Sequence, residues 1–199
     1  MADGSVRCWG DNMYGQIGNG YSLIQPAPVA VVNIQPARWT YMLYLAGDND
    51  LSFYLDNISK ALDRLPSSPD LNIAVFFDGQ GEEDSYIWST RDGAFNKWRI
   101  AEAESRTGDP TTLAEFIQWA HESFPAEHYY LSIANHGRGT SGIGWDTQNG
   151  TLSTPEALTP AGLRQALAAA TSNGLWQFDV LHFDACLMGL IEVAHQVKE

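Results

Sequence analysis

The sequence predicts an α/β fold, helices packed on both faces of a mostly parallel sheet, with a short all-β segment ahead of it. Three observations carry that reading. Four short, nearly continuous apolar runs recur from Trp39 onward, as strands buried on both faces should. Segments with apolar residues at helical spacing alternate with those runs, the order expected of parallel strands joined by helices. A stretch rich in Gly and Pro, residues 1–36, lacks either pattern and reads as short strands joined by tight turns.

The elements follow in order. Trp39 to Ala46 is the first buried strand, and Leu51 to Leu65 a helix with Leu51, Tyr54, Leu55, Ile58, Leu62 and Leu65 on one stripe, stopped by Pro66 and Pro69. Leu71 to Phe77 is the second strand. Tyr86 to Ser89 and Phe95 to Ile100 flank Arg91-Asp92-Gly93 as a hairpin. Thr111 to Phe124 is a helix behind Pro110, and Tyr129 to Ala134 the third buried strand. Pro160 to Thr171 is an Ala-rich helix with Pro at its start. Phe178 to Phe183 is the fourth strand, and Leu187 to Lys198 a last helix.

Composition narrows the function. Apolar residues make up 44% of the 199, enough for a sizeable core, so wholesale disorder is excluded. Eleven basic residues face 24 acidic ones, a net charge of −13. That balance excludes nucleic acid and anionic membrane as electrostatic partners and favours cationic ligands. No apolar stretch reaches the length of a membrane span. Met1 to Ser5 has neither a basic nor an apolar region of a signal peptide. The expectation is a gene fragment, so the compartment stays open, extracellular or cell-surface included. Two cysteines, Cys8 and Cys186, cannot form a multi-disulfide framework.

In an open parallel sheet, ligands sit beyond the carboxyl ends of the strands. Gly47-Asp48-Asn49-Asp50 follows the first strand, Asp78-Gly79 the second, Asn135-His136-Gly137 the third and Asp184-Ala185-Cys186 the fourth. His136 and Cys186, at equivalent ends of two strands, form a candidate base and nucleophile. An imidazole titrates near neutrality, as a general acid–base requires. A thiol just ahead of a helix is favoured as thiolate. Each also has a bland reading: Cys186 as a buried structural cysteine, His136 as a solvated loop histidine. Asp48 and Asp50 read most simply as caps of the following helix. Carboxylates and an amide also suit calcium, the one metal the sequence leaves open, although no EF-hand-like loop is present. His121 and His128 read as solvated, His182 as a satisfied core histidine, His195 as fitting no zinc spacing, and Glu82-Glu83-Asp84 as a solvated turn.

Two resemblances join these readings. Val6 to Gly20, with Trp9-Gly10, Asn12, Gly15-Gln16 and Gly18, resembles a single RCC1-type β-propeller repeat, expected over residues 1–36. One such blade cannot bury its own faces. Tyr41 to Leu51, Asn135-His136-Gly137 with Gly144-Trp145 downstream, and Phe183 to Gly189 together resemble the clostripain (C11) family of cysteine peptidases. His precedes Cys by 50 residues, the order and about the spacing of caspases, although the caspase Gln-Ala-Cys-x-Gly signature is absent.

The C11 resemblance implies that residues 37–199 are the N-terminal part of a caspase-like domain, C-terminally truncated. It implies a cysteine endopeptidase that cleaves proteins or peptides after Arg or Lys. Cys186 matches the nucleophile and His136 the general acid–base. The backbone N–H groups of Gly137 and Cys186 match the oxyanion hole, and Asp184 the acidic residue of the S1 pocket, although Asp184 also reads as an N-cap. No organic cofactor is implied; calcium activates clostripain itself. Family members tend to be cut at a basic residue between His and Cys, where this chain offers Arg138 and Arg164. The rival expectations are a non-catalytic propeller protein with a vestigial caspase-like part, and a caspase-like hydrolase of other specificity.

Overall fold

The structure is a computed structural model and describes residues 7–11, 25–30, 36–62, 65, 68–81, 84–91, 94–99, 105–151 and 154–198. The chain divides into two units, 1–36 and 37–199. In the first, β1 (Arg7–Gly10) pairs antiparallel with β2 (Gln25–Ala30), Cys8 opposite Val29. Most of the propeller-repeat motif, residues 12–24, lies outside the described residues.

The second unit is built on β3 (Ala37–Ala46), β4 (Leu71–Asp78), β5 (Tyr86–Arg91), β6 (Ala94–Arg99), β7 (Ala126–Ala134) and β10 (Val180–Asp184). Their order across the sheet is β10-β7-β3-β4-β5-β6. The first four are mutually parallel, while β5 and β6 continue the sheet antiparallel as the expected hairpin. A separate hairpin, β8 (Ile143–Thr151) with β9 (Thr154–Leu158), is not anticipated by the sequence reading.

Helices cover both faces because side chains alternate along each strand. Leu45, Ile73, Val75, Phe77 and Ala134 point to one face, where they bury Leu55 of α1 (Ser52–Leu62). Met42, Tyr44, Phe76, Leu131 and Ile133 point to the other. There they meet Leu113, Phe116 and Ile117 of α2 (Pro110–Ser123) and Leu163 and Leu167 of α3 (Pro160–Ala170). Full burial of each such side chain contributes about 1.5–3 kcal/mol. Both α2 and α3 start as their sequence predicts. Asp109 accepts from the N–H of Thr111 at 2.8 Å, Thr159 accepts from that of Gly162 at 3.1 Å, and Pro110 and Pro160 occupy the first helical position.

Several expectations are corrected. The first helix ends at Leu62, and Tyr54 and Leu65 are exposed. The last helix, α4 (Ile191–Val197), begins four residues later than its apolar pattern suggests. Leu187 has a left-handed φ of 59° and Leu190 is extended, so residues 185–190 form a turn and loop. His182 is not in the core. Among the described strands β10 is an edge strand, and its even positions are exposed on the α1 side of the sheet. His182 Nδ1 is instead 3.0 Å from the Ser132 hydroxyl. On that same face the rings of Tyr41 and Tyr130 stack at 4.8 Å, and Trp39 lies over His128.

His121 and His128 are also held rather than merely solvated. His121 stacks on Trp176 at 4.0 Å, and His128 Nδ1 is 2.9 Å from Asp179 Oδ1. Asp84 organises its turn by accepting from the N–H groups of Gly79 and Gly81. Among the described residues no helix is long and apolar enough to cross a membrane.

Candidate active site at the switch point of the sheet

From β3 the chain goes to β4 on one side of the sheet and later to β7 and β10 on the other. The carboxyl ends of β3 and β7 therefore flank the topological switch point, where the loops diverge and leave a crevice. His136 follows β7, Asp48 to Asp50 follow β3, and Cys186 follows β10.

The register places the loops that carry His136 and Cys186 at the ends of adjacent strands. Val180 to Asp184 pair with Tyr130 to Ala134 at a constant offset of 50 residues. His136 and Cys186 each lie two residues beyond the last paired position of these strands, Ala134 and Asp184. Adjacent strands lie about 4.8 Å apart. The strand ends are in contact: Asn135 donates its N–H to the carbonyl of Asp184 at 3.3 Å. A Cβ built on Gly137 would run into the carbonyl oxygen of Cys186 and stand 2.7 Å from Met188 Cγ. Only glycine permits that approach. Met188 is buried in the α3-side core and anchors the turn that carries Cys186, whose own side chain is exposed.

His136 is fixed by a partner the sequence reading assigned elsewhere. Its Nε2 lies 2.7 Å from Oδ1 of Asp50. The ring is 44% exposed and Asp50 81%, so both are reachable from solvent. Asp50 does not cap α1. That turn is closed by Asn49, whose Oδ1 accepts from the N–H of Leu51 at 3.0 Å and whose carbonyl accepts from Ser52. Asp48 is buried, and its carbonyl accepts both the N–H and the hydroxyl of Thr147. Among the described residues no group of three or more His, Cys, Asp and Glu could hold a metal ion.

Asparagines tie the loops together. Asn49 Nδ2 donates to the carbonyl of Trp145 at 2.7 Å, and Asn135 Nδ2 donates to the same carbonyl at 3.3 Å and to that of Ala46. Trp145 in turn carries the Arg138 guanidinium 4.4 Å above its ring. The N–H of Arg138 donates to the carbonyl of Gly142 in the bridge between Gly137 and Ile143. Asp184, at the end of β10, is exposed on the α1 face. Burial first, then the nearby Tyr41 and Asp184, raise the pKa of the Tyr130 phenol.

Asp50, Asn49 and Asn135 thus serve the site in ways the sequence reading missed. A strand-end polar residue signals only that it lies at the crevice; which partner it takes, 86 residues away in the case of Asp50, is set by topology.

Comparison with known proteins adds a family to this geometry. A model of the clostripain family, Peptidase_C11, matches residues 43–199. Clostripain of Hathewaya histolytica is 27% identical over 192 residues, 80% of this chain and 36% of that protein. A secreted C11 cysteine protease of Bacteroides thetaiotaomicron, solved with an irreversible peptide inhibitor, superposes with a TM-score of 0.65 at 24% identity. The match covers 81% of this chain and 46% of that one. An inactive zymogen C11 protease of Parabacteroides distasonis gives 0.59 at 22%, covering 82% and 46%. The mostly parallel sheet between helices is thus the fold of these proteases. The chain spans about a third of the length of the curated relative and about half that of the solved ones.

Proposed function

This chain belongs to the clostripain family, and from that membership we propose that it carries the nucleophile and the base of a cysteine endopeptidase. Cys186 is the nucleophile and His136 the general acid–base. The observation that supports the reading is the parallel register of β7 and β10, which ends at Ala134 and Asp184, two residues short of His136 and Cys186 on adjacent strands.

The chemistry runs as follows. His136 takes the Cys186 proton, and the sulfur attacks the scissile carbonyl. The C–N bond then breaks as the imidazolium returns its proton to the leaving amine. Water, deprotonated by the same imidazole, hydrolyses the acyl-enzyme. The N–H groups of Gly137 and Cys186 are our candidates for the donors that stabilise the oxyanion. In the bridge to Ile143 the donor is Arg138 rather than Gly137, which leaves the Gly137 N–H for that task. The helix that follows Cys186, α4, starts five residues beyond it, so its N-terminus does not adjoin the thiol and activation is assigned to His136.

Asp184 gives the preference for Arg or Lys on the acyl side. Its side chain is exposed on the face it shares with Ala134 in the paired register. A guanidinium can pair bidentately with such a carboxylate. The net charge of −13 draws cationic peptides at long range. The proposed reaction requires no organic cofactor, and the family resemblance leaves calcium open as an activator. For residues 1–36 we retain a single propeller-type repeat, supported by the antiparallel pairing of β1 and β2.

The test uses the protein in its longest native form, with a fluorogenic peptide bearing Arg at the cleavage site. Cys186→Ala and His136→Ala should each abolish release of the fluorophore while leaving the melting temperature nearly unchanged. Full turnover in either variant would remove the dyad.

A further inference from the structure

We propose that Asp50 is the positioning residue of His136: it holds the imidazole in the tautomer and orientation that leave Nδ1 as the proton acceptor for the Cys186 thiol. The inference rests on the reading of His136 and Cys186 as the reacting pair.

The tautomer follows from the partner. A carboxylate can only accept a hydrogen bond. With Asp50 Oδ1 at 2.7 Å, Nε2 must be the nitrogen that carries hydrogen. The lone pair is then on Nδ1, the atom left free to receive a proton. When Nδ1 takes the thiol proton the ring becomes a cation, and the nearby carboxylate stabilises it. The positive charge the ring gains when the thiol loses its proton is thus stabilised by a carboxylate outside the reacting pair.

Asp50 can do this because its own backbone is held. Gly47 donates to the carbonyl of Asp78 at 2.7 Å, Asn49 donates to Gly47 at 2.7 Å, and the Asn49 side chain reaches Trp145. The loop is pinned on both sides immediately before residue 50, so the carboxylate is presented across the switch point and not swept through solvent. Its exposure fits the assignment. An exposed carboxylate is not needed for packing, and Asn49 already closes the turn into α1.

The experiment is a double-mutant cycle read by the rate at which iodoacetamide alkylates Cys186, with Cys8 changed to Ser throughout. Alkylation reports thiol activation without requiring peptide turnover. Wild type, Asp50→Ala, His136→Ala and the double variant are compared, together with Asp50→Asn, which keeps an acceptor oxygen. Asp50→Ala should slow alkylation about tenfold, Asp50→Asn should recover part of that loss, and Asp50→Ala should add nothing in the His136→Ala background. In peptide cleavage the loss should fall on kcat, with KM nearly unchanged. Additive losses would mean that Asp50 acts independently of the ring and would overturn the inference. So would wild-type alkylation in Asp50→Ala beside a slow His136→Ala, an outcome that leaves the dyad standing. If His136→Ala itself alkylates at the wild-type rate and cleaves peptide, the dyad fails and the inference falls with it.

Discussion

Asn49 and Asn135, 86 residues apart in sequence, donate to one carbonyl, that of Trp145, at 2.7 and 3.3 Å. The two asparagines end different strands, so a single acceptor ties the carboxyl ends of β3 and β7 to the strand that begins beyond them. Asn135 makes a second bond, to the carbonyl of Ala46 at the end of β3.

Asn135→Ala should therefore destabilise the protein by about 1–3 kcal/mol, the usual cost of leaving a buried acceptor unmade. Asn135→Asp should cost more, because an ionised carboxylate offers no donor and faces two carbonyl oxygens. Urea unfolding of both variants checks the order; an Ala variant as stable as wild type would show that the amide donors contribute nothing, and an Asp variant as stable as Ala that the carboxylate meets no repulsion there.

Gly137→Ala forces a methyl group against the Cys186 carbonyl and the Met188 side chain. The expected cost is roughly 1–3 kcal/mol of overpacking strain. Peptide cleavage should fall by about 100-fold as the two loops part. Gly189→Ala is the control, since no atom lies within 4 Å of a Cβ at that position. It should change neither, and equal damage from both variants would mean that the close approach at Gly137 has no special importance.

Asp184→Asn should lower kcat/KM for an Arg substrate about 30-fold or more and barely change that for its Leu counterpart. Matched peptides differing only at that residue make the comparison. An Arg preference that survives the substitution would move the specificity determinant elsewhere.

Stability should fall as the solution becomes mildly acidic, partly through His121. Burial lowers the pKa of this ring below its ordinary value, with Glu122 opposing. The unfolded chain then binds the proton more readily than the folded one, so stability is complete above about pH 6.5 and declines below it. His121→Phe keeps a ring against Trp176 and removes the titration. Thermal melts from pH 8 to 5 should show a shallower decline in the variant; parallel curves would place the acid sensitivity in other groups.

Much of the sheet was legible because its signal is apolar and local. Met42, Tyr44, Phe76, Leu131 and Ile133 announce buried strands by themselves, and Pro110 and Pro160 announce helix starts. The β8–β9 hairpin was not legible, since part of what fixes it is polar. Asp146 is buried accepting from Thr107, and Thr147 bonds to Asp48, contacts that leave no periodicity. The start of α4 was misread because Leu187, Met188, Leu190 and Ile191 look like one apolar helical run, whereas only Met188 of the four is buried. At the site, strand-end position identified His136 and Cys186 as candidates. The tie between Asp50 and His136 depends on which strands are neighbours, a property of the whole sheet and not of either segment.

The pairing of β7 with β10 also has a consequence for an interrupted chain. Backbone ladders, together with the apolar contacts of Leu181 and Phe183, hold the two strands in register without help from the peptide that links them. A single break in the β8–β9 connection would leave two polypeptides clasped at the same offset, with His136 on one and Cys186 on the other. The two proposed reacting groups are carried by paired strands rather than by a continuous backbone, so a nicked form should co-migrate as one species until it is unfolded.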